Sequence, residues 1–210
     1  MIRAVIFDLD GVLVDSELLS CAATADLLTL HGFPMTEPEV RRLFLGKSMA
    51  AVFEHARAHG VELPADLGAQ KERLYAERSR GTLRAFDGAH EVVSAIAAKL
   101  PVAIASSGSP KKVEFSLGET GLAPLFPVIC TTSECARGKP APDVYLLAAK
   151  KLGVDPTECA VIEDAPPGIE GAHAAGAFVV GVTTSLPREA LGGAHAVIDS
   201  LRELPALVLS

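Results

Sequence analysis

Short apolar segments alternate with longer amphipathic segments over most of this chain. The runs at residues 5–7, 102–105, 128–130, 160–162 and 178–182 have the length and apolar content of buried strands, and residues 196–198 are a candidate edge strand. Segments with helical spacing lie between them. This alternation predicts a doubly wound α/β fold, with a parallel sheet covered on both faces.

One segment, residues 16–82, interrupts the alternation. Apolar residues recur at helical spacing from Leu18 to Leu28, and Thr36 with Glu39 forms a capping-box pattern. Further helical patterns follow, with no strand pattern between them. We therefore predict a four-helix module inserted after the first strand, so that residues 1–15 and 83–210 form the core and residues 16–82 form the module.

The composition narrows the function classes. The chain has 210 residues, of which 49% are hydrophobic, and a net charge of -7, which argues against nucleic acid or an anionic membrane as a partner. No apolar run has membrane-spanning length, and the first residues lack a signal-peptide pattern. The cysteines show no C-x-x-C spacing, which predicts reduced thiols without zinc. We expect a cytoplasmic monomer.

Polar side chains follow the apolar runs in four places. They are Asp8 with Asp10, Ser106 with Ser107, Lys139 in a loop, and Glu163 with Asp164. Each alone has an ordinary explanation: a turn, a helix-entry loop, a solvated lysine or a helix cap. Because the carboxyl ends of parallel strands share one sheet edge, however, all four sets can converge there. If the extended geometry continues beyond residue 7, Asp8 and Asp10 also share a face.

The charges at that edge indicate what it can bind. Four crowded carboxylates need a cation or a proton, and hard oxygen ligands suit Mg²⁺. A negative charge remains even after Mg²⁺ and Lys139 are counted, which favours one protonated carboxyl. A neutral aspartic acid beside a nucleophile can protonate a leaving alkoxide. Ser106 and the backbone N–H groups of the following helix start can hold phosphoryl oxygens, and Lys139 can offset their charge.

Four stretches resemble the motifs of the haloacid dehalogenase-like hydrolase superfamily. They are Phe7-Asp8-Leu9-Asp10-Gly11-Val12-Leu13-Val14-Asp15-Ser16, Ser106-Ser107-Gly108, Gly138-Lys139-Pro140 and Glu163-Asp164-Ala165-Pro166-Pro167-Gly168-Ile169. Ala172-His173-Ala174-Ala175-Gly176 resembles the usual continuation of the fourth motif. The resemblance covers nearly the whole chain. It implies a Rossmann-like core, an inserted helical cap and a phospho-aspartyl intermediate.

The resemblance also implies a role for each matching residue. Asp8 is then the nucleophile and a metal ligand, and Asp10 is the general acid/base and binds the metal through its carbonyl. The phosphoryl group is held by Lys139 and by Ser106 in the loop that it forms with Ser107 and Gly108. Glu163 and Asp164 complete the Mg²⁺ site.

Individual residues indicate which activity of that superfamily this chain has. Asp10 argues against a dehalogenase or phosphonatase activity, because the members of the superfamily with those activities lack an aspartate at this position. β-Phosphoglucomutase is the stronger alternative. It usually has a histidine where Ser20 stands, and an arginine after a Gly-x-Ser pattern where this chain has Met49. Both departures favour a phosphatase for small phosphomonoesters such as sugar phosphates or phosphogluconate.

Two hypotheses belong to other classes of protein. A receiver domain of a signalling relay also uses strand-end aspartates and a Lys-Pro pair. It carries its phosphorylated aspartate on a later strand, however, and has no helical module after the first strand. A catalytically silent homologue that only binds its ligand is the other hypothesis, although every expected catalytic residue is present. Slow or absent turnover with Mg²⁺ still bound would favour the silent homologue.

Lys47, in the segment Leu45-Gly46-Lys47-Ser48, is the candidate for substrate selection. We predict that it offers a cation to a polar or acidic leaving group, the alternative being a solvated lysine between helices. K47A should raise KM or narrow the substrate range, as measured by steady-state kinetics over a panel of phosphomonoesters. Unchanged kinetics on the best substrate would refute this role.

Overall fold

The computed structural model describes residues 1–44 and 49–209. In this part of the chain, six strands form one sheet in the order β3-β2-β1-β4-β5-β6, and every neighbouring pair is parallel. The strands are β1 (Ala4–Phe7), β2 (Val102–Ser106), β3 (Val128–Thr131), β4 (Cys159–Glu163), β5 (Phe178–Val182) and β6 (Ala196–Ile198). The predicted α/β class with a doubly wound parallel sheet is confirmed.

The helices of the described residues form two groups along the chain. The first group is α1 (Glu17–Leu30), α2 (Glu37–Phe44), α3 (Met49–Ala58) and α4 (Leu67–Ser79). The second is α5 (Ala89–Ala97), α6 (Pro110–Glu119), α7 (Asp143–Leu152), α8 (Pro166–Ala174) and α9 (Leu204–Val208). Within the described residues, none of these helices has both the length and the apolar character that a membrane crossing requires.

The chain divides into two compact units, Met1–Asp15 with Arg84–Ser210 and Ser16–Leu83. The second unit contains α1 to α4 and has its own apolar core, which includes Leu28, Val40 and Leu67. One half of its predicted capping box is present, since the Thr36 N–H donates to Glu39 Oε2 at 2.7 Å. The Thr36 hydroxyl donates to the same carboxylate oxygen at 2.7 Å. The function of this helical unit as a cap remains a prediction.

The first unit is built on the alternation of side chains along its strands. Ile6 and Val161 pack with residues of α7 and α8 in one buried cluster on one face of the sheet. Phe7 therefore points to the opposite face, where its ring lies 5.8 Å from that of Phe126 in edge-to-face geometry. With both faces covered, the strands are apolar throughout, and polar side chains collect where the strands end.

Two isoleucines paired in register on β2 and β3 test this account of the core. Ile104 is fully buried, whereas Ile129 is 36% exposed. I104A should lower the free energy of unfolding by about 2–5 kcal/mol, because it removes buried methylene groups and leaves a cavity. I129A, the matched control, should cost clearly less. Urea unfolding of both variants measures the difference, and equal losses would contradict the described burial.

Candidate active site

The ends of three neighbouring strands form the site. Asp8 directly follows β1, Ser106 is the last residue of β2, and Glu163 ends β4 with Asp164 after it. The Asp8 N–H donates to the carbonyl of Ile162 at 3.0 Å, which carries the pairing of β1 and β4 up to the first aspartate. The sheet thus brings these four predicted site residues to the same edge.

Three buried carboxylates form a group at this edge. Asp8, Glu163 and Asp164 each offer one oxygen, and the three oxygens lie within 4.8 Å of one another. Their residues are only 7%, 2% and 5% exposed. Such an oxygen-only set can hold a hard metal cation. The carboxylate of Asp10 is not a member of this group.

Lys139 binds two of these carboxylates from the loop between β3 and α7. Its Nζ donates to Asp8 Oδ1 at 2.7 Å and to Glu163 Oε1 at 2.6 Å. The lysine side chain is only 7% exposed. The loop lysine predicted at the sheet edge is therefore a buried charge with two buried partners, rather than a solvated one.

Burial and mutual charge shift the pKa values of this cluster. Burial raises the pKa of Asp8 to about 7, with Lys139 opposing the shift and Glu163 adding to it. Burial likewise raises the pKa of Glu163, and the positive charge of Lys139 again opposes the shift. Burial alone would lower the pKa of Lys139, but the charges of Asp8 and Glu163 hold it well above its usual value. The lysine therefore remains a cation.

Tyr145 on α7 is a contact that sequence reasoning missed. Its hydroxyl donates to Glu163 Oε1 at 2.6 Å and also lies 3.1 Å from the carbonyl oxygen of Gly168. Burial, followed by the charge of Glu163, raises the pKa of Tyr145 well above its ordinary value, so the phenol stays a donor. The available signal was a tyrosine in the apolar helix after the Lys139 loop, because a buried phenol needs a polar partner.

Two glycines make room for the carboxylates. Gly11 has φ +80°, and a Cβ built on it would lie 2.0 Å from Asp164 Oδ2 and 2.5 Å from Ser185 Oγ. A Cβ on Gly168 would lie 1.9 Å from Glu163 Oε2. A side chain at either position would therefore displace the neighbouring carboxylate. The Ser185 hydroxyl beside Asp164 is buried and has no hydrogen-bond partner among the residues described.

The serine loop after β2 turns directly into α6. Ser106 is 1% exposed, and its Oγ accepts a hydrogen bond from the Gly108 N–H at 3.0 Å. That contact uses the oxygen as an acceptor, so the hydroxyl hydrogen can be donated to another group. Ser109 caps α6 by accepting from the Lys112 N–H at 3.3 Å. The loop thus combines a buried hydroxyl with the N-terminus of a capped helix.

Asp10 has a different environment from Asp8. The strand ends at Phe7, and the next residues form a tight turn in which the Gly11 N–H donates to the Val14 carbonyl at 3.0 Å. The extended geometry that would place Asp8 and Asp10 on one face therefore does not continue beyond Phe7. Instead, Asp10 Oδ2 accepts from Lys112 Nζ at 2.7 Å.

Sequence reasoning missed Lys112 and counted Lys139 as the only cation. The signal was a lysine in the first turn of a helix, where a positive charge opposes the helix dipole. Among the predicted substrate-binding residues, Lys47 lies outside the described part of the chain.

Comparison with known proteins identifies the family. A family model of haloacid dehalogenase-like hydrolases matches residues 2–176. This chain belongs to the haloacid dehalogenase-like hydrolase family. The predicted membership is confirmed, and the core and its strand-end carboxylates are those of a family member.

Two curated relatives within the family are phosphatases by name. Validoxylamine A 7'-phosphate phosphatase of Streptomyces hygroscopicus subsp. limoneus is 33% identical over 206 residues, which cover 97% of this chain and 96% of that protein. Hexitol phosphatase A of Escherichia coli (strain K12) is 35% identical over 205 residues, which cover 96% of this chain and 93% of that protein.

A solved structure represents the mutase branch of the family. The crystal structure of β-phosphoglucomutase from Clostridium difficile superposes with a TM-score of 0.83 at 26% identity, and the match covers 97% of this chain and 93% of that chain. The family fold therefore accommodates both activities, and the choice between them depends on individual residues.

The close approach at Gly168 gives a direct test of the site geometry. G168A must displace the Glu163 carboxylate, because the added Cβ would overlap it, and should lower the free energy of unfolding by about 1–3 kcal/mol. G118A, on α6, is the control: nothing lies within 4 Å of its Cβ, so it should be neutral or slightly stabilising. Urea unfolding and a crystal structure of G168A check both effects. An unmoved Glu163 would contradict the described packing.

Proposed function

We propose that this protein is a Mg²⁺-dependent phosphatase that hydrolyses small phosphomonoesters, sugar phosphates among them, through a phospho-aspartyl intermediate on Asp8. The observation that carries the proposal is the buried group of Asp8, Glu163 and Asp164 with Lys139 bound between two of its members. Such a site combines a nucleophile, a cation and hard metal ligands at one sheet edge.

The residues fit the proposed metal. The donor set consists of carboxylate oxygens, which Mg²⁺ prefers, and the group is buried and already crowded with negative charge. Asp8, Glu163 and Asp164 would hold the ion, with the backbone carbonyl of Asp10 as the ligand that the family resemblance adds. When bound, the ion would supply positive charge against the phosphoryl oxygens.

The proposed reaction begins with attack by Asp8. A carboxylate oxygen of Asp8 forms a bond to phosphorus while the bond from phosphorus to the ester oxygen breaks. The departing oxygen takes the proton of the Asp10 carboxyl and leaves as an alcohol. Lys139 and the Ser106 hydroxyl hold phosphoryl oxygens and offset the charge that the group carries.

Water completes the cycle. Its oxygen attacks phosphorus, and Asp10, now a carboxylate, takes the proton that the water loses. The bond between phosphorus and Asp8 breaks, inorganic phosphate leaves, and both aspartates return to their first states. Asp10 thus acts as acid in one step and as base in the next. Its carboxyl must lie beside the leaving oxygen in the first step and beside the attacking water in the second.

Two residues of the helical unit favour hydrolysis over the mutase reaction. Ser20 lies on α1 and Met49 begins α3, where the mutases that this chain resembles usually carry a histidine and an arginine. The two relatives named above, which span nearly the whole chain, are also phosphatases. We assign substrate selection to residues 16–83, Lys47 included.

Phosphate release with and without Mg²⁺ tests the proposal. The panel contains sugar phosphates, phosphoglycolate, phosphogluconate, glycerol phosphate, nucleotides and β-glucose 1-phosphate. We expect Mg²⁺-dependent release that EDTA abolishes, and no release by D8N, because an amide cannot form the acyl phosphate. E170Q removes one carboxylate charge from an exposed position on α8 and should keep wild-type rates.

Each alternative has its own result in this experiment. Glucose 6-phosphate formed from β-glucose 1-phosphate with little phosphate release would establish the mutase. Mg²⁺ binding, measured by calorimetry, without turnover of any substrate would establish a ligand-binding homologue. Equal release by D8N and wild type would refute Asp8 as the nucleophile.

A further inference from the structure

Lys112 forms a partly buried ion pair within the first unit. It lies on the first turn of α6, and its Nζ donates to Asp10 Oδ2 at 2.7 Å. The two side chains are 17% and 22% exposed, so the pair is shielded from much of the solvent that weakens surface ion pairs. The contact joins residues 102 positions apart in the chain.

The location of Lys112 is unfavourable for the helix alone. Ser109 is the N-cap and Pro110 the first helical residue, which places Lys112 at the third position. A cation there meets the positive end of the helix dipole, which is unfavourable. The carboxylate of Asp10 offsets this charge, so the contact with Asp10 accounts for a lysine that the helix itself disfavours.

The backbone of Asp10 is held independently of this contact. In the turn that contains it, the Gly11 N–H donates to the Val14 carbonyl, and the Leu9 carbonyl accepts from the N–H groups of Leu13 and Val14 at 3.0 and 3.1 Å. These are backbone bonds, and they restrain the main chain around Asp10. The bond from Lys112 acts on the Asp10 side chain directly.

The two lysines of the site act on different carboxylates. Lys139 binds Asp8 and Glu163, whereas Lys112 binds Asp10. Lys112 is therefore bound to the carboxyl that the proposed reaction uses for proton transfer.

We propose that Lys112 is a positioning residue for Asp10, which orients its carboxyl toward the leaving oxygen. This inference rests on the proposed phosphatase reaction. Misplacing a reacting group by about 1 Å can cost on the order of 10²-fold in rate. The loss must be greatest for substrates whose leaving oxygen needs a proton, because an activated aryl oxide departs without one.

The test compares an alkyl and an aryl substrate across matched variants. K112M should lower kcat for glycerol phosphate by about 10–100-fold and change kcat for 4-nitrophenyl phosphate by less than about 3-fold. D10N, which removes the acid itself, should also lose most activity on the alkyl substrate. K112R keeps a donor and should recover most of the loss. K111M removes a neighbouring, exposed lysine of the same helix and should match wild type. Crystal structures of wild type and K112M should show the Asp10 carboxyl turned in the variant.

Other results would overturn the inference. Equal losses on both substrates, or an Asp10 carboxyl unmoved in K112M with wild-type kcat, would mean that Lys112 does not position the acid. A rise in KM confined to acidic substrates such as phosphogluconate would make Lys112 a substrate-binding residue instead. A wild-type protein that releases no phosphate from any substrate would refute the proposed function itself, which separates that failure from a failure of Lys112 alone.

Discussion

The candidate site depends on the ion pairs of the Lys139 ammonium, which is buried between the carboxylates of Asp8 and Glu163. Buried charges are tolerated only when they are paired, and removing one partner leaves the others uncompensated. The two carboxylates come from adjacent strands, β1 and β4, whose separation the sheet hydrogen bonds determine. The loop that carries Lys139 therefore has to reach this edge, and the Tyr145 hydroxyl adds a further hydrogen bond to Glu163.

Two cations divide the acidic residues into two sets. Lys139 is bound within the group of buried carboxylates that can hold a metal, and Lys112 is bound to Asp10. Asp8 and Asp10 are two residues apart, yet the turn after β1 gives them different neighbours. The turn after the first strand makes this separation possible within one short segment.

Much of the fold was predictable from local patterns. Apolar runs predicted the strands, helical spacing predicted α1, and the capping box at Thr36 predicted the start of α2, because each depends on neighbouring residues only. The convergence of Asp8, Ser106, Lys139 and Glu163 followed from a topological rule for parallel sheets. Lys112 and Tyr145 were missed because no local pattern indicates their partners, Asp10 and Glu163, which lie 102 and 18 positions away. A lysine in a helix and a tyrosine on an apolar face have ordinary explanations until those partners are known.

The sequence by itself determined the class of fold, the family and the side chains that meet at the sheet edge. These follow from hydrophobic periodicity and from an ordered set of short motifs, which the chain carries whatever its three-dimensional details. Only the tertiary structure decided which charge pairs with which: Lys139 with Asp8 and Glu163, and Lys112 with Asp10. Ion pairing depends on distance and burial, and both are set by the packing of segments that are distant in the sequence.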